Sequence, residues 1–231
     1  VAAQRLHLGA IVVEEHPARE IPPDQVLQAL MDGIMTMGID SLPWDRESRQ
    51  LQARITCLRS WQPDGSWPDL SDDNLIRDLS WLTPYLSGMN RAAHLKRLNL
   101  REIFMSMLEW KKQQALARLA PTTVTVASGS RIRLHYTHDS PPFLAVRIQE
   151  VFGTLEKPVI CDGAVPVLLH LLSPARRPLQ VTDDLAGFWQ RTYPEIKKEL
   201  KGRYPKHFWP DDPLSAVATS GTKKSVKQQK K

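Results

Sequence analysis

Two cysteines in 231 residues leave little room for covalent or metallic scaffolding. Cys57 and Cys161 lie far apart in apolar surroundings, and neither is half of a CxxC pair. That excludes a disulfide framework and argues against structural zinc, and a reduced cytoplasm is the easiest setting. No apolar run approaches the ~20 residues of a membrane-spanning helix, so no membrane partner is expected. Nucleotide-handling motifs are missing too. There is no GxxxxGK[ST] phosphate loop, no DEAH or DEAD segment, no GxSxG and no HExxH. His135 and His138 have a metal spacing suited to a helix, but they fall on strand-like sequence with nothing to complete four ligands. Carboxylate pairs such as Asp72-Asp73 sit at helix starts, where the helix dipole explains them. No complete active site, and no cofactor, is expected in this stretch. The opening residues, VAAQRLHLGAIVVEE, carry neither Met nor a signal-peptide pattern, the expectation being a fragment of something longer.

What is present is an uneven charge. Residues 1–172 hold 18 Lys and Arg against 19 Asp and Glu, whereas residues 173–209 hold 8 against 4, and residues 222–231 add five lysines. The net charge of +6 therefore belongs to the last quarter of the chain, which favours a polyanionic partner at that end.

Hydrophobic periodicity divides the chain. Residues 6–15 read as one strand. From Asp24 the period turns helical, with a stripe through Leu30, Ile34 and Met37 closed by Gly38. A second helix follows from Asp45 to about Ser60, with Arg46, Arg49, Arg54 and Arg59 largely outward, a solvated face or a phosphate contact. Ser71 and Asn99 cap further helices, giving an all-helical block of about five helices closed by Pro121. TTVTVA and RIRLHY then alternate around Ser128-Gly129-Ser130, a hairpin pattern. Ile132, Leu134 and Tyr136 share its apolar face, while Arg131, Arg133 and His135 share the other, a plain solvent face or a rest for a nucleic-acid backbone. The strand at 6–15 is expected to pair with this hairpin, since a lone strand leaves backbone groups unpaired. Residues 143–153 read as a short amphipathic helix. Asp162-Gly163 marks a turn between a strand at Pro158–Cys161 and another at Val165–Leu172. The run PVLLHLL is expected to be buried on both faces, with His170 as a hydrogen-bonded core histidine.

The most informative stretch is Pro178–Pro210. Thr182 is the expected N-cap of a helix with Asp183 and Asp184 in its first turn, and a second helix is expected to open at Pro194 and stop at Gly202. The segment RYPKHFWP then holds rings and cations on a stiffened, extended chain, an arrangement suited to phosphates and exposed bases. The bland alternative is a C-terminal helix pair whose aromatics lock it to the body. Beyond Pro210 the sequence reads as a patternless basic tail.

Read in order, LGAIVVEE, WPDLSDDNL, APTTVTVASGSRIRLHY, LAVRIQEVFG, VPVLLHLLSPARRPLQVTDDLAGFW and KKELKGRYPKHFWP resemble the C-terminal part of bacterial HrpB-type ATP-dependent helicases, of the DEAH/RHA group, from Leu6 to Pro213. The chain departs from that pattern at Phe208, where a proline is expected. The resemblance implies an α+β fold: a helical block (21–120), then a small mixed β-sheet, OB-like domain with C-terminal helices (121–210). A strand from a preceding β-rich region (1–20) comes before them and a disordered basic tail (211–231) after. It also implies that the RecA-like motor domains, with their ATP and magnesium, lie elsewhere in the full-length enzyme. This region would then be a non-catalytic accessory contacting single-stranded RNA or DNA, the motor domains of the same chain, or other proteins. The alternative is a scaffolding extension without nucleic-acid contact. The residues expected at a nucleic-acid surface are Arg176, Arg177, Lys197, Lys198, Lys201, Arg203, Tyr204, Lys206, His207 and Trp209, with Arg131 and Arg133 on the hairpin.

Overall fold

Pro23 opens a helix because its fixed φ suits the first turn, and Gly38 ends it with a φ of 82° that L-residues avoid. In the computed structural model, which describes residues 3–8, 10–17 and 21–222, this is α1 (Pro23–Met37). The described residues fall into two compact units, one within 1–49 and 69–107, the other within 50–68 and 108–231.

In the first unit, β1 (Ala3–Leu8) and β2 (Ile11–Pro17) form an antiparallel hairpin in register Leu8↔Ile11. This corrects the single strand expected at 6–15. The chain turns at Ala10, and the two strands satisfy each other rather than pairing with residues 122–136. α3 (Asp72–Arg77) is capped by Ser71 and α4 (Leu100–Ser106) by Asn99, both as expected. α3 stops at Arg77, because the Asp78 carboxylate accepts from Ser80 N–H and starts a 3₁₀ turn. Ile34, Leu75, Leu79, Leu82, Ile103 and Phe104 are buried in this unit, and the Phe104 ring tilts against Trp44 and Trp81 at 5.6 Å each.

The second unit is built on a five-stranded sheet of order β3-β4-β5-β8-β9: β3 (Thr123–Thr125), β4 (Arg131–His135), β5 (Phe143–Arg147), β8 (Leu168–Leu172) and β9 (Pro178–Thr182). β5 and β8 are parallel and the other pairs antiparallel, so the sheet is mixed. β3 and β9 are its two edges, an open arrangement that does not confirm an OB-like barrel. The crossover from β5 to β8 runs through a 3₁₀ turn (Ile148–Val151) and a small hairpin of β6 (Val159–Ile160) and β7 (Val165–Pro166). The expected turn sits at that hairpin's tip, with positive φ at Cys161, Asp162 and Gly163. The helix expected at 143–153 is thus a strand followed by one 3₁₀ turn. Leu144 and Val146 are buried while Phe143, Ala145 and Arg147 are half-exposed, which is a period of two.

One face of the sheet is core, with Leu134, Leu144, Val146, Leu169 and Leu171 all buried. α2 (Arg46–Trp61) and α5 (Trp110–Leu119) add buried Leu51, Ile55, Leu58, Leu116 and Leu119 to this unit. The Gln50 side-chain amide exchanges two hydrogen bonds with the backbone of Tyr136, extending β4 as a neighbouring strand would. Arg54 donates to the Ala120 and Leu116 carbonyls at the end of α5, where a cation suits the dipole. Arg59 donates to Trp67 O, and in the first unit Arg49 bridges Asp40 and Asp72 over the Trp44 ring. The α2 arginines Arg49, Arg54 and Arg59 are therefore engaged within the protein, and Asp72 answers Arg49. Burial pushes the Cys57 thiol up to about 11, which leaves it unreactive as a nucleophile.

The C-terminal helices are one continuous run. Thr182 folds back on Asp184 N–H, and the N-cap is Asp184, whose carboxylate accepts from Gly187 N–H at 2.8 Å. α6 (Leu185–Gly187) passes into a π-helical turn (Phe188–Thr192) and then α7 (Tyr193–Arg203). Pro194 therefore opens no separate helix. It has no N–H to donate, and it sits just past a turn whose wider bonding, Tyr193 N–H to Phe188 O, absorbs the missing ladder bond. Residues 211–222, expected to be a patternless tail, follow a defined path along the 3₁₀ turn. Gly153 N–H donates to Pro213 O and Thr219 N–H to Gln149 O, both at 2.9 Å. The lysines from Lys223 onward lie outside the described residues.

Gly153 has a φ of 74°, and an added Cβ would stand 3.0 Å from the Ala216 carbonyl. Gly153→Ala is expected to cost about 1–2 kcal/mol in chemical denaturation from the left-handed backbone alone, and to speed proteolysis within 211–222. A variant as stable and as protease-resistant as the parent would contradict this account of the segment.

Candidate nucleic-acid interface

Four aromatic rings hold the C-terminal run in place. Phe152, Phe188, Trp189 and Tyr193 are all buried, with centroid separations of 5.0–6.0 Å in tilted and edge-on contacts. Their polar handles are satisfied: Trp189 Nε1 donates to Thr154 O at 2.7 Å, and Tyr193 OH to Pro210 O at 3.0 Å. Phe188 and Trp189 are therefore core residues, and with Leu185 they lie three and four residues apart on one helical face.

After α7 the chain does not stay extended. His207 N–H donates to Tyr204 O, making a turn, and the same carbonyl accepts from Trp209 Nε1 at 3.0 Å. Trp209 is only 8% exposed, so the expected stacking surface on its ring is corrected: the indole packs inward. His207 is half-buried with Nδ1 3.1 Å from the Gln149 amide nitrogen. Tyr204 keeps a half-exposed ring, and its hydroxyl donates to Ser173 Oγ at 3.4 Å.

That last contact joins two cationic segments. Ser173 starts the β8–β9 turn, closed by Ser173 N–H to Arg177 O and Arg177 N–H to Ser173 Oγ. Arg176 and Arg177 are both exposed at its tip, Arg176 with a φ of 60°. Tyr204 thus brings the end of α7, with Arg203 and Lys206, beside the turn bearing Arg176 and Arg177. Lys198 and Lys201 are exposed on α7 itself. Lys197 is set apart, largely covered and 2.5 Å from Asp211, and that contact holds the Asp211 carboxyl below the usual carboxylate range. Arg203 leans on Glu199 at 3.4 Å. The cations most open to a partner are Arg176, Arg177, Lys198, Lys201 and Lys206.

Arg131 and Arg133 lie on a different surface, the outer face of the sheet. That face also holds a feature the sequence reading missed: the rings of His135, Phe143 and His170 stack across β4, β5 and β8, with centroids 4.8 and 4.2 Å apart and planes within 13° and 10° of parallel. His170 is half-exposed, not a core residue, because PVLLHLL buries only its alternate side chains. Period-two spacing across Phe143, Ala145 and Arg147 could have revealed it had these residues not been read as a helix. Among the described residues no group of three or more His, Cys, Asp or Glu is arranged to hold a metal, and no helix is long and apolar enough to cross a membrane.

Burial lowers both His170 and His207 below the ordinary histidine value of 6.5. The unfolded chain then binds protons that the folded chain resists, so stability is full above pH 6.5 and falls as pH drops through the two folded values. Thermal unfolding is expected at lower temperature at pH 5.5 than at pH 7.5, with the difference reduced in a His170→Gln/His207→Asn variant. Equal pH sensitivity in the variant would assign the effect to other groups.

A family described as ATP-dependent helicase C-terminal, HrpB_C, matches residues 81–213. The ATP-dependent RNA helicase HrpB of Escherichia coli strain K12 is 43% identical over 224 residues, or 96% of this chain. The chain spans 28% of that protein's length. A crystal structure of the E. coli DExH-box NTPase HrpB superposes with a TM-score of 0.81 at 43% identity, covering 96% of this chain and 28% of that one. A second, of the Escherichia coli DEAH/RHA helicase HrpB, gives 0.70 at 41% identity over 90% of this chain and 27% of that one. With its mixed sheet, its helical run and its closing aromatic segment all inside the matched region, the chain belongs to the C-terminal family of HrpB-type ATP-dependent helicases.

Proposed function

We propose that this chain is the non-catalytic accessory region of an ATP-dependent RNA helicase and that it holds single-stranded nucleic acid against the cationic surface around Tyr204. The observation that carries this reading is the Tyr204–Ser173 contact, which sets the Arg176-Arg177 turn beside the end of α7. Guanidinium and ammonium groups from two segments then flank one half-exposed ring, the combination that tracks a phosphate backbone while offering a stacking surface. Hydrolysis would lie outside this stretch, which carries no phosphate loop or metal-binding acidic motif. ATP and magnesium would be handled by motor domains in the same protein, and the cytoplasm is its setting.

A second reading has its own support. Phe188, Trp189 and Trp209 are buried within this unit, and Lys197 and Arg203 are paired with Asp211 and Glu199. That pattern suits a rigid extension docked on the motor domains or on another protein.

The two readings separate in a titration of the 231-residue chain with fluorescent oligo(U) and oligo(dT) at two salt concentrations. Replacing Arg176, Arg177, Lys198 and Lys206 by Gln is expected to weaken binding and flatten the salt slope by about 0.7 per lost phosphate contact, or roughly 3 in total. Tyr204→Ala adds a loss of about 1–3 kcal/mol if a base stacks on that ring. Affinity and slope unchanged in the charge variant would reject this surface and leave the docking reading.

A further inference from the structure

The five-stranded sheet has two very different faces. One is core. The other carries Thr123, Thr125, Arg131, Arg133, His135, Phe143, Ala145, Arg147, Leu168, His170, Leu172 and Val181, by strand alternation and register. None of these side chains is buried, although three of them are rings. An aromatic column left half-open on a sheet, beside arginines, calls for a reason beyond folding.

We propose that this outer sheet face is a second binding surface for single-stranded nucleic acid, built on the His135–Phe143–His170 column and the arginines of β4. The stack decides which atoms do the binding. Phe143 is sandwiched, with an imidazole against each of its faces at 4.8 and 4.2 Å, so it cannot itself receive a base. It works as the spacer that holds two imidazoles upright. Val181 stands opposite His170 in the register, so a base would lie over the solvent-facing edges of the column rather than extend it strand to strand. The imidazole edges carry hydrogen-bonding nitrogens for base edges or the ribose 2′-OH. A sheet that displays rings across neighbouring strands is a known general solution for splayed single-stranded bases.

Charge selects the partner. On β4, Arg131 is exposed and leans on Thr123 Oγ1 at 3.3 Å, and Arg133 follows two residues along on the same face. Arg147, the third arginine, is held to the buried Glu150 carboxylate at 2.6 Å, so it frames the face rather than reaching out from it. Two guanidiniums in line with an imidazole suit successive phosphates and one base.

This surface rests on the same broad reading as the Tyr204 surface, but it stands on separate residues, so the two fail separately. The test uses the 231-residue chain with fluorescent oligo(U) and oligo(dT) in three versions: parent, the Tyr204-side charge variant, and Arg131→Gln/Arg133→Gln/His135→Ala. The sheet variant is expected to bind about tenfold more weakly and to lose roughly 1.4 from its salt slope, at about 0.7 per phosphate, with melting confirming that it folds. The single variant His170→Ala, which leaves the arginines and two rings in place, is expected to weaken binding without changing the slope. Photocrosslinking of 5-iodouridine oligonucleotides to the parent should mark the peptides of β4, β5 or β8. Oligo(U) favoured over oligo(dT) would point to the 2′-OH. Parent-like binding by a folded sheet variant, or crosslinks confined to residues 173–209, overturns the proposal even if the Tyr204 surface stands. Loss in the sheet variant alone would uphold it and remove the Tyr204 surface instead.

Discussion

The contact on which the C-terminal half depends is the packing of Trp189, tilted, and Tyr193, edge-on, against Phe152. Each ring is buried, and buried aromatic pairs of this geometry add about 0.5–1.5 kcal/mol beyond the area they hide. Their value here is also positional. Phe152 follows the 3₁₀ turn that begins the crossover from β5, Trp189 and Tyr193 belong to the helical run, and their N–H and O–H groups reach Thr154 and Pro210. One cluster therefore fixes the sheet, the helix and the segment after it. The π-helical turn serves the same end: it places Phe188 and Trp189 inward while letting Pro194 sit without a broken bond.

With that cluster in place, the cations have few choices. α7 is pinned by rings on its inner side, so Lys198 and Lys201 face out, and Tyr204 closes onto Ser173. The acidic residues that follow are not neutral spectators, since Asp211 takes up Lys197. Surface charge here is set by chain path as much as by composition. The basic quarter of the sequence resolves into two populations, one paired and one open.

Much of this was legible from residue order. The caps at Ser71 and Asn99, the hairpin around Gly129 and the turn at Asp162-Gly163 each follow from local chemistry acting within a few residues. The misreadings within the sheet share a cause: they required knowing what lay across it. FLAVRIQEVFG carries apolar residues at spacings that satisfy either period over so short a span, and only the parallel partner β8 decides for a strand. His170 looks like a core residue among leucines until alternate side chains are seen to face outward. The exposure of Trp209 was misjudged for a similar reason, because its indole answers a carbonyl five residues back across a turn. The arginines of α2 looked solvated, yet Arg54 and Arg59 meet carbonyls that sequence spacing does not bring near. Local chemistry also misled where two nearby groups competed, as when Asp184 rather than Thr182 took the Gly187 N–H.

The two compact units are interleaved along the chain: α2 begins in one and finishes in the other, and residues 69–107 return to the first before α5 rejoins the second. The natural-looking cut after Pro121 would separate the sheet from Gln50, whose amide is bonded to Tyr136, and from the α5 carbonyls held by Arg54. No single scission liberates either unit whole. For anyone dissecting such an extension by truncation, lost activity would then report a torn core before it reported a missing contact.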